Sequence, residues 1–164
     1  MNFQLKPGLL LGAASAATQI EGGSQNNSWH AWYRQGRIKD GSDPSVATDH
    51  YVRWQEDLEL MAGMGIQCCR LGVEWSRVEP EDGVFDDAVI AHYREELQAL
   101  VGRGIRPLLT LHHFSNPLWL EEKGAFAKRD NITYFLRFVR RMVEGVGDLV
   151  SEYITINEPN VYAC

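Results

Sequence analysis

The chain has 164 residues, of which 45% are hydrophobic and 23% are charged. These proportions are typical of a globular domain and exclude a disordered, collagen-like or membrane-spanning chain. With 16 Lys and Arg against 22 Asp and Glu, the formal net charge is −6. We therefore expect no nucleic-acid partner, because non-specific binding to nucleic acid needs cations that neutralise the phosphates.

The first apolar run, residues 9–14, has two interpretations. Lys6 before it and Ala14-Ser15-Ala16 at its end imitate a secretory signal with its cleavage site. However, Pro7 and Gly8 interrupt its start and its apolar core is short, so we favour a buried first strand over residues 9–14. No run approaches the ~20 apolar residues of a membrane-spanning helix, and we expect no membrane partner.

Three Gly-x-Gly sequences divide the rest of the chain into units that recur about every 40 residues. Glycine accepts the left-handed conformation that ends many helices, so each of these sequences predicts a helix end. They lie at residues 63–65, 102–104 and 145–147. The short apolar runs that follow them predict buried strands at residues 67–71, 106–111 and 153–156.

Apolar residues recur at helical spacing before each Gly-x-Gly sequence, which predicts three helices with a core-facing stripe. We expect Asp43 and Pro44 to start the first helix and Asp130 to cap the third. The residues of the three stripes are Tyr51, Trp54, Leu58 and Met61; Ile90, Tyr93, Leu97, Leu100 and Val101; and Ile132, Phe135, Leu136, Val139, Met142 and Val143.

The resulting order, β-α-β-α-β-α-β, predicts an α/β fold with four parallel strands side by side, because such crossovers are right-handed. The sheet could be open and doubly wound, or it could be part of an eight-stranded barrel. No G-x-G-x-x-G sequence follows the first strand, so nothing favours a dinucleotide cofactor. An α-solenoid has a similar period but no strands, and it is disfavoured for that reason.

The three cysteines, Cys68, Cys69 and Cys164, are an odd number and have no Cys-x-x-Cys spacing. We expect free thiols in a reducing compartment, the cytoplasm, with Cys68 and Cys69 in or near the core. We expect no metal site at the adjacent pair His112 and His113, because neighbouring residues of a strand point to opposite faces.

Polar residues follow the predicted strands at the end where α/β folds carry their functional groups. They include Gln19 after the first strand, Arg70 in the second, His113 after the third, and Asn157 and Glu158 after the fourth. Together they predict a site for a ligand rich in hydroxyl groups, such as a sugar. Because Arg70 lies in an apolar strand, we expect it to pair with a buried carboxylate.

Five stretches of the chain resemble glycoside hydrolase family 1, the β-glucosidase family of retaining (β/α)8 barrels. They are LGAASAATQIEG at 11–22, ATDHY at 47–51, CRLGVEWSRV at 69–78, TLHHF at 110–114 and TINEP at 155–159. They stand in the family's order over nearly the whole chain. The resemblance implies the N-terminal half of a (β/α)8 TIM barrel, a single incomplete domain over residues 1–164 whose C-terminal half is missing.

The resemblance further implies a retaining β-glycosidase that needs no cofactor and acts on terminal β-D-glucosyl or related residues of small glycosides. Glu158 would be the general acid/base, while Gln19 and His113 would hydrogen-bond the sugar. Asn157 would hold its 2-hydroxyl group, and Arg70 would lie beside the nucleophilic carboxylate. In the family that nucleophile stands in a Glu-Asn-Gly sequence, which this chain lacks, so we expect the isolated chain to be inactive.

The substrate preference stays open at this point. Phe114 and Ser115 stand where many family members have a Trp-Asp pair. The alternatives are a phospho-β-glycosidase, another retaining barrel glycosidase, and an inactive sugar-binding fragment.

Overall fold

The structure, a computed structural model, describes residues 6–163. Its strands are parallel and lie in the order β1-β2-β3-β4, as the sequence predicts. The strands are β1 (Gly12–Ala14), β2 (Cys68–Gly72), β3 (Arg106–Thr110) and β4 (Tyr153–Ile154). The helices are α1 (Ala17–Ile20), α2 (Ser28–Arg34), α3 (His50–Gly63), α4 (Trp75–Val78), α5 (Asp87–Gly102), α6 (Leu118–Glu122), α7 (Ile132–Val146) and α8 (Pro159–Tyr162). Two 3₁₀ turns, Ala125–Ala127 and Arg129–Asn131, lead into α7.

The core lies between one face of the sheet and the helices that cover it. In β2 the buried residues Cys69 and Leu71 alternate with Cys68 and Arg70, which are only partly buried. This alternation places Arg70 on the face that the helices leave uncovered. The other side of the core comes from the helices, with Leu97, Leu100, Phe138 and Met142 among its buried side chains. Each such side chain contributes about 1.5–3 kcal/mol through its burial.

All three Gly-x-Gly sequences coincide with helix ends, and two of them use a left-handed glycine as predicted. After α3, Gly65 has a φ of +72° and its N–H donates to the carbonyl of Ala62, while the N–H of Ile66 donates to that of Met61. After α5, Gly104 has a φ of +71° and makes the equivalent bond. These paired bonds satisfy carbonyl groups that the helix end would otherwise leave free.

The third Gly-x-Gly sequence also marks a helix end, since α7 ends at Val146, but the left-handed conformation expected there is wrong. Gly147 has a φ of −65° and is the right-handed residue that follows α7. Gly145 lies inside α7, where an added Cβ would meet Cγ2 of Ile90 at 2.4 Å. This glycine therefore serves the close approach of α7 to α5.

Both predicted helix starts, at Asp43 and at Asp130, were also wrong. α3 begins at His50, and the Asp43 carboxylate instead closes a local turn by accepting bonds from the backbone N–H and hydroxyl of Ser45. Asp130 lies within the 3₁₀ turn that leads into α7, and Asn131, which precedes that helix, makes no side-chain cap.

The predicted stripes agree with the buried faces of α3 and α5, apart from the exposed Val101. The stripe of α7 is only partly correct. Its residues Ile132, Leu136 and Val143 are exposed, and Phe138 and Val146 are buried in their place. Gly145 lies on the side of α7 that approaches Ile90 of α5.

The first strand also differs from its prediction as a buried run over residues 9–14. β1 covers only Gly12–Ala14, and all three of its residues are exposed. The reason is its position at the edge of the sheet, where β2 is its only neighbour within residues 6–163.

Candidate active site

The predicted site residues lie at the C-terminal ends of the strands. Gln19 is on α1, directly after β1, and Arg70 lies in β2. His113 follows β3, and Asn157 and Glu158 follow β4. Because the strands are parallel and in sequence order, their C-terminal ends lie together. We call this side of the sheet, where the strands end, its C-terminal edge.

Arg70 and His113 are in direct contact. Nη2 of Arg70 lies 3.2 Å from Nδ1 of His113, and a guanidinium group can only donate, so Nδ1 accepts and Nε2 carries the ring proton. Burial lowers the pKa of His113, and the positive charge of Arg70 lowers it further. The negative charge of Glu158 acts in the opposite direction. The ring is therefore neutral at pH 7, with Nε2–H as a hydrogen-bond donor.

Asn157 and Glu158 form a second contact pair. The side chain of Glu158 is exposed, and its Oε2 accepts a bond of 3.3 Å from Nδ2 of Asn157. The backbone N–H of Asn157 donates to the carbonyl of His112 at 2.9 Å, which joins the ends of β3 and β4.

The backbone is strained at two positions of this edge. Glu158 has a φ of 41° and a ψ of 60°, and Phe114 has a φ of 69°. A non-glycine residue in this left-handed region costs about 1–3 kcal/mol. Such conformations concentrate at functional sites, and here one is Glu158 itself while the other directly follows His113.

The predicted carboxylate partner of Arg70 is not present in the part of the chain that the structure describes. Nε of Arg70 is buried without a hydrogen-bond partner, and the contact of its Nη2 is with the imidazole of His113. The reason is its direction, because Arg70 faces away from the helices that bring buried carboxylates to the other face.

Gln19 is not joined to the other predicted residues. Its side chain is exposed and makes no hydrogen bond within residues 6–163. The segment that carries it is fixed at two other points, since the N–H of Ser15 donates to the carbonyl of Arg70 at 2.9 Å and Oγ1 of Thr18 donates to Oε2 of Glu74 at 2.8 Å.

Two buried glutamates behind this edge, Glu21 and Glu74, were not identified as site residues from the sequence. Tyr93 joins them, because the backbone N–H of Glu74 donates to its hydroxyl at 3.0 Å and that hydroxyl donates to Oε1 of Glu21 at 2.8 Å. Burial raises the pKa of Glu21 to about 7, with Arg77 opposing and Glu74 adding to the rise. Each of these glutamates stands among apolar or small residues just beyond a predicted strand, and this position could have identified it from the sequence.

An open groove of about 980 Å³ lies beside the candidate site, and none of the five predicted site residues lines it. It is lined by Trp29 and Trp32 from α2 and by Phe114 and Tyr162, among other residues. The rings of Phe114 and Tyr162 stack, with their centroids 5.9 Å apart. Tyr162 lies in α8, one helical turn after Glu158.

His112 is structural. It is buried, and its Nε2 lies 2.9 Å from Oδ1 of Asn116. Burial lowers its pKa to about 4, although the hydrogen bond that Nε2–H donates to Asn116 opposes the change. Over residues 6–163, no three His, Cys, Asp or Glu side chains form a group that could hold a metal ion.

Cys69 is buried and Cys68 partly buried, and both are free thiols, whereas Cys164 lies outside the described residues. Burial raises the pKa of the Cys69 thiol to about 12. Among the helices of the described chain, none combines the length and the apolar character needed to cross a membrane.

Comparison with known proteins gives a consistent result. The family model described as "Glycosyl hydrolase family 1" matches residues 1–164. Beta-glucosidase A of Thermotoga maritima is 36% identical over 171 residues, which cover 99% of this chain and 38% of that protein. Coniferin beta-glucosidase of Pinus contorta is 38% identical over 161 residues, covering 93% of this chain and 31% of the relative.

Solved structures agree with the sequence comparison. A beta-glucosidase from Thermotoga maritima in complex with castanospermine superposes with a TM-score of 0.93 at 34% identity, over 97% of this chain and 38% of that structure. The beta-glycosidase from Pyrococcus horikoshii gives a TM-score of 0.88 at 33% identity, over 99% of this chain and 38% of its own. The chain thus spans little more than a third of the length of these relatives.

The four strands and their helices are those of the N-terminal half of a (β/α)8 barrel, which confirms the predicted fold class. The match over the full sequence and the close superposition on solved relatives agree with the motifs at the strand ends. The chain belongs to glycosyl hydrolase family 1.

Proposed function

We propose that the protein of which this chain is a part is a retaining β-glycosidase. Its substrates are small β-glycosides with a terminal β-D-glucosyl or related residue. The proposal is supported by family membership and by relatives that are named beta-glucosidases. The single observation that carries it is the exposed Glu158 carboxylate, which accepts a bond from Asn157 and acts on the pKa of His113.

In this proposal Glu158 is the general acid/base. It protonates the glycosidic oxygen while a second carboxylate attacks the anomeric carbon, and it then activates the water that releases the sugar. The two carboxyl groups of a retaining enzyme lie about 5–5.5 Å apart. The second carboxylate lies outside these 164 residues, so the isolated chain is inactive in the proposed reaction.

The other residues bind the sugar or support the nucleophile. Nε2–H of His113 donates to a sugar hydroxyl, and this role is supported by the neutral ring and by the bond from Arg70 to Nδ1. Gln19 adds a second polar contact, and the Asn157 amide holds the 2-hydroxyl group. Arg70 lies beside the nucleophile and stabilises its charged form. We place the reaction in the cytoplasm, which the free thiols of Cys68 and Cys69 support.

The decisive variant is Glu158→Gln in the complete protein. We expect kcat/KM for cellobiose to fall by about 10²–10⁴-fold, because its leaving group needs a proton. Hydrolysis of 2,4-dinitrophenyl β-D-glucoside should be affected much less in its first step, since that leaving group departs without one. Unchanged turnover of cellobiose contradicts the assignment.

The matched control is Glu152→Gln. Glu152 is an exposed glutamate just before β4, at the opposite end of that strand from Glu158, where it pairs with Arg106 at 3.5 Å. We expect its variant to keep the parent kcat/KM. Comparing glucosides with 6-phosphoglucosides on the parent protein tests the phospho-β-glycosidase alternative, and glucose binding without hydrolysis of either would indicate a sugar-binding protein.

A further inference from the structure

Glu74 is a buried carboxylate that accepts hydrogen bonds from several donors. It is 2% exposed, and its Oε1 accepts bonds of 2.9 Å from the hydroxyls of both Ser76 and Ser115. Its Oε2 accepts a bond of 2.8 Å from the hydroxyl of Thr18. Within residues 6–163 no Lys, Arg or His forms an ion pair with it. Hydrogen bonds from hydroxyl groups therefore replace those that the carboxylate would make with water.

These donors belong to segments that follow different strands. Thr18 follows β1, Ser76 follows β2 together with Glu74, and Ser115 follows β3. One carboxylate thus joins three strand ends, with Thr18 56 residues before Glu74 and Ser115 41 residues after it. Hydrogen bonds to its oxygens orient hydroxyl groups that would otherwise rotate freely.

Two of the joined segments carry residues of the proposed sugar site. Thr18 immediately precedes Gln19, and Ser115 is two residues after His113. Gln19 has no side-chain hydrogen bond of its own within the described chain, so its position depends on the backbone that Thr18 and Ser15 fix. Phe114, between His113 and Ser115, has a φ of 69°, a conformation that persists only when its surroundings hold it.

We propose that Glu74 is a positioning residue, whose carboxylate sets the distance between the β1 and β3 segments and thereby aligns Gln19 and His113 on one sugar. The proposal rests on the proposed glycosidase function. It assigns Glu74 no contact with substrate and no part in proton transfer, which is left to Glu158.

The test is Glu74→Gln in the complete protein. The amide replaces one acceptor oxygen by a donor of similar size, so at least one of the three segments loses its acceptor. We expect kcat/KM for aryl β-D-glucosides to fall by about 10-fold to 100-fold, because small misplacements of binding groups have effects of this size. The fall should be equal for good and poor leaving groups, and the pH profile should stay the same, since Glu158 is untouched.

Glu79→Gln is the matched control for the loss of a buried carboxylate. Glu79 is fully buried and accepts hydrogen bonds from Nε1 of Trp75, from the N–H of Gly83 and from Arg137. None of these three donors is a residue of the proposed sugar site. We expect its variant to melt at a lower temperature while kcat/KM stays within about twofold of the parent. A purely structural role for Glu74 would give the same pattern as Glu79.

Two further variants keep the proposal testable if Glu74→Gln does not fold. Ser115→Ala and Thr18→Val each remove one donor, and each should reproduce part of the loss in kcat/KM. If Glu74→Gln folds, combining it with Ser115→Ala should give less than the product of the two effects, because both act through one bond. If the complete protein is active and its Glu74→Gln and Ser115→Ala variants keep the parent kcat/KM, the positioning role of Glu74 is wrong while the proposed glycosidase function stands. A parent inactive on every β-glycoside overturns the proposed function, and this inference with it.

Discussion

Two buried histidines have opposite pKa shifts, and the difference comes from their partners. Burial lowers the pKa of His112 to about 4, and the hydrogen bond to the neutral amide of Asn116 offsets this only in part. Burial acts in the same direction on His50, but the bonds and charges of Glu96 and Asp57 outweigh it and raise the pKa to about 9. His112 is therefore neutral at pH 7, and His50 is charged.

The raised pKa of His50 predicts that the fold loses stability in alkaline solution. Its folded pKa lies above the unfolded value of 6.5, so its contribution is complete below about pH 6.5 and is lost as the pH rises through 9. Nδ1 lies 2.6 Å from Asp57 and Nε2 lies 2.8 Å from Glu96, and Asp57 is 40% exposed. Allowing for screening at Asp57, we expect a loss on the order of 2 kcal/mol, measured by denaturation of the complete protein at several pH values.

His50→Gln is the control for this prediction. The variant should be less stable than the parent at pH 6 and should lack the part of the alkaline decline between pH 7 and 9. Nuclear magnetic resonance of the histidine rings measures the pKa directly, with the variant identifying the signal. A His50 ring that titrates near 6.5 contradicts the prediction.

The residues at the strand ends could be found from the sequence, but the bonds between them could not. Gln19, His113, Asn157 and Glu158 stand just beyond apolar runs, and that position alone identifies them as candidates. The contacts of Glu74 join residues at separations of 41 and 56, which no local spacing reveals. The carboxylate expected beside Arg70 is not among residues 6–163, and in the proposed function it is the nucleophile, which lies outside this chain.

At the scale of helices, Gly145 determines how closely α7 approaches α5. Helix ends and stripes were predictable where they depend on local conformation, as at Gly65 and Gly104. The buried face of α7 was predicted only in part, because this helix carries apolar residues on more than one side: Phe138 and Val146 are buried, whereas Leu136 and Val143 are exposed. A glycine chosen for packing and a glycine chosen for a left-handed φ look the same in the sequence.

Gly145→Ala tests this interpretation. An added Cβ would lie 2.4 Å from Cγ2 of Ile90, so the Ile90 side chain or one of the two helices must move. We expect the free energy of unfolding to fall by about 1–3 kcal/mol, despite the higher helix propensity of alanine. Thermal unfolding of the complete protein measures the change.

Gly102→Ala is the matched control, because that glycine ends α5 and has nothing within 4 Å of an added Cβ. It should be neutral or should gain about 0.5–1 kcal/mol. Adding Ile90→Ala to Gly145→Ala should reduce the cost of the new methyl group, since the atom it meets is gone. Equal effects of Gly145→Ala and Gly102→Ala would show that packing against Ile90 plays no part.

At the scale of the whole molecule, the described chain has a sheet with two free edges and one uncovered face. β1 and β4 each pair with a single strand. Next to β1, Leu9 is 57% exposed, and Leu10 and Leu11 are also exposed. Edges of this kind offer unpaired backbone groups to other chains, and apolar side chains beside them add to the tendency to associate.

We therefore expect the 164-residue chain, prepared alone, to self-associate or to melt without a cooperative transition. Light scattering after size-exclusion chromatography and thermal melting followed by circular dichroism measure the two properties. Leu9→Lys places a charge beside the β1 edge and should reduce the association, because charged side chains discourage edge pairing. Val52→Lys replaces an apolar residue of α3 that is 68% exposed and should leave it unchanged. A monodisperse monomer with a sharp melt would mean that the helices on one face suffice to stabilise four strands without neighbours at either edge.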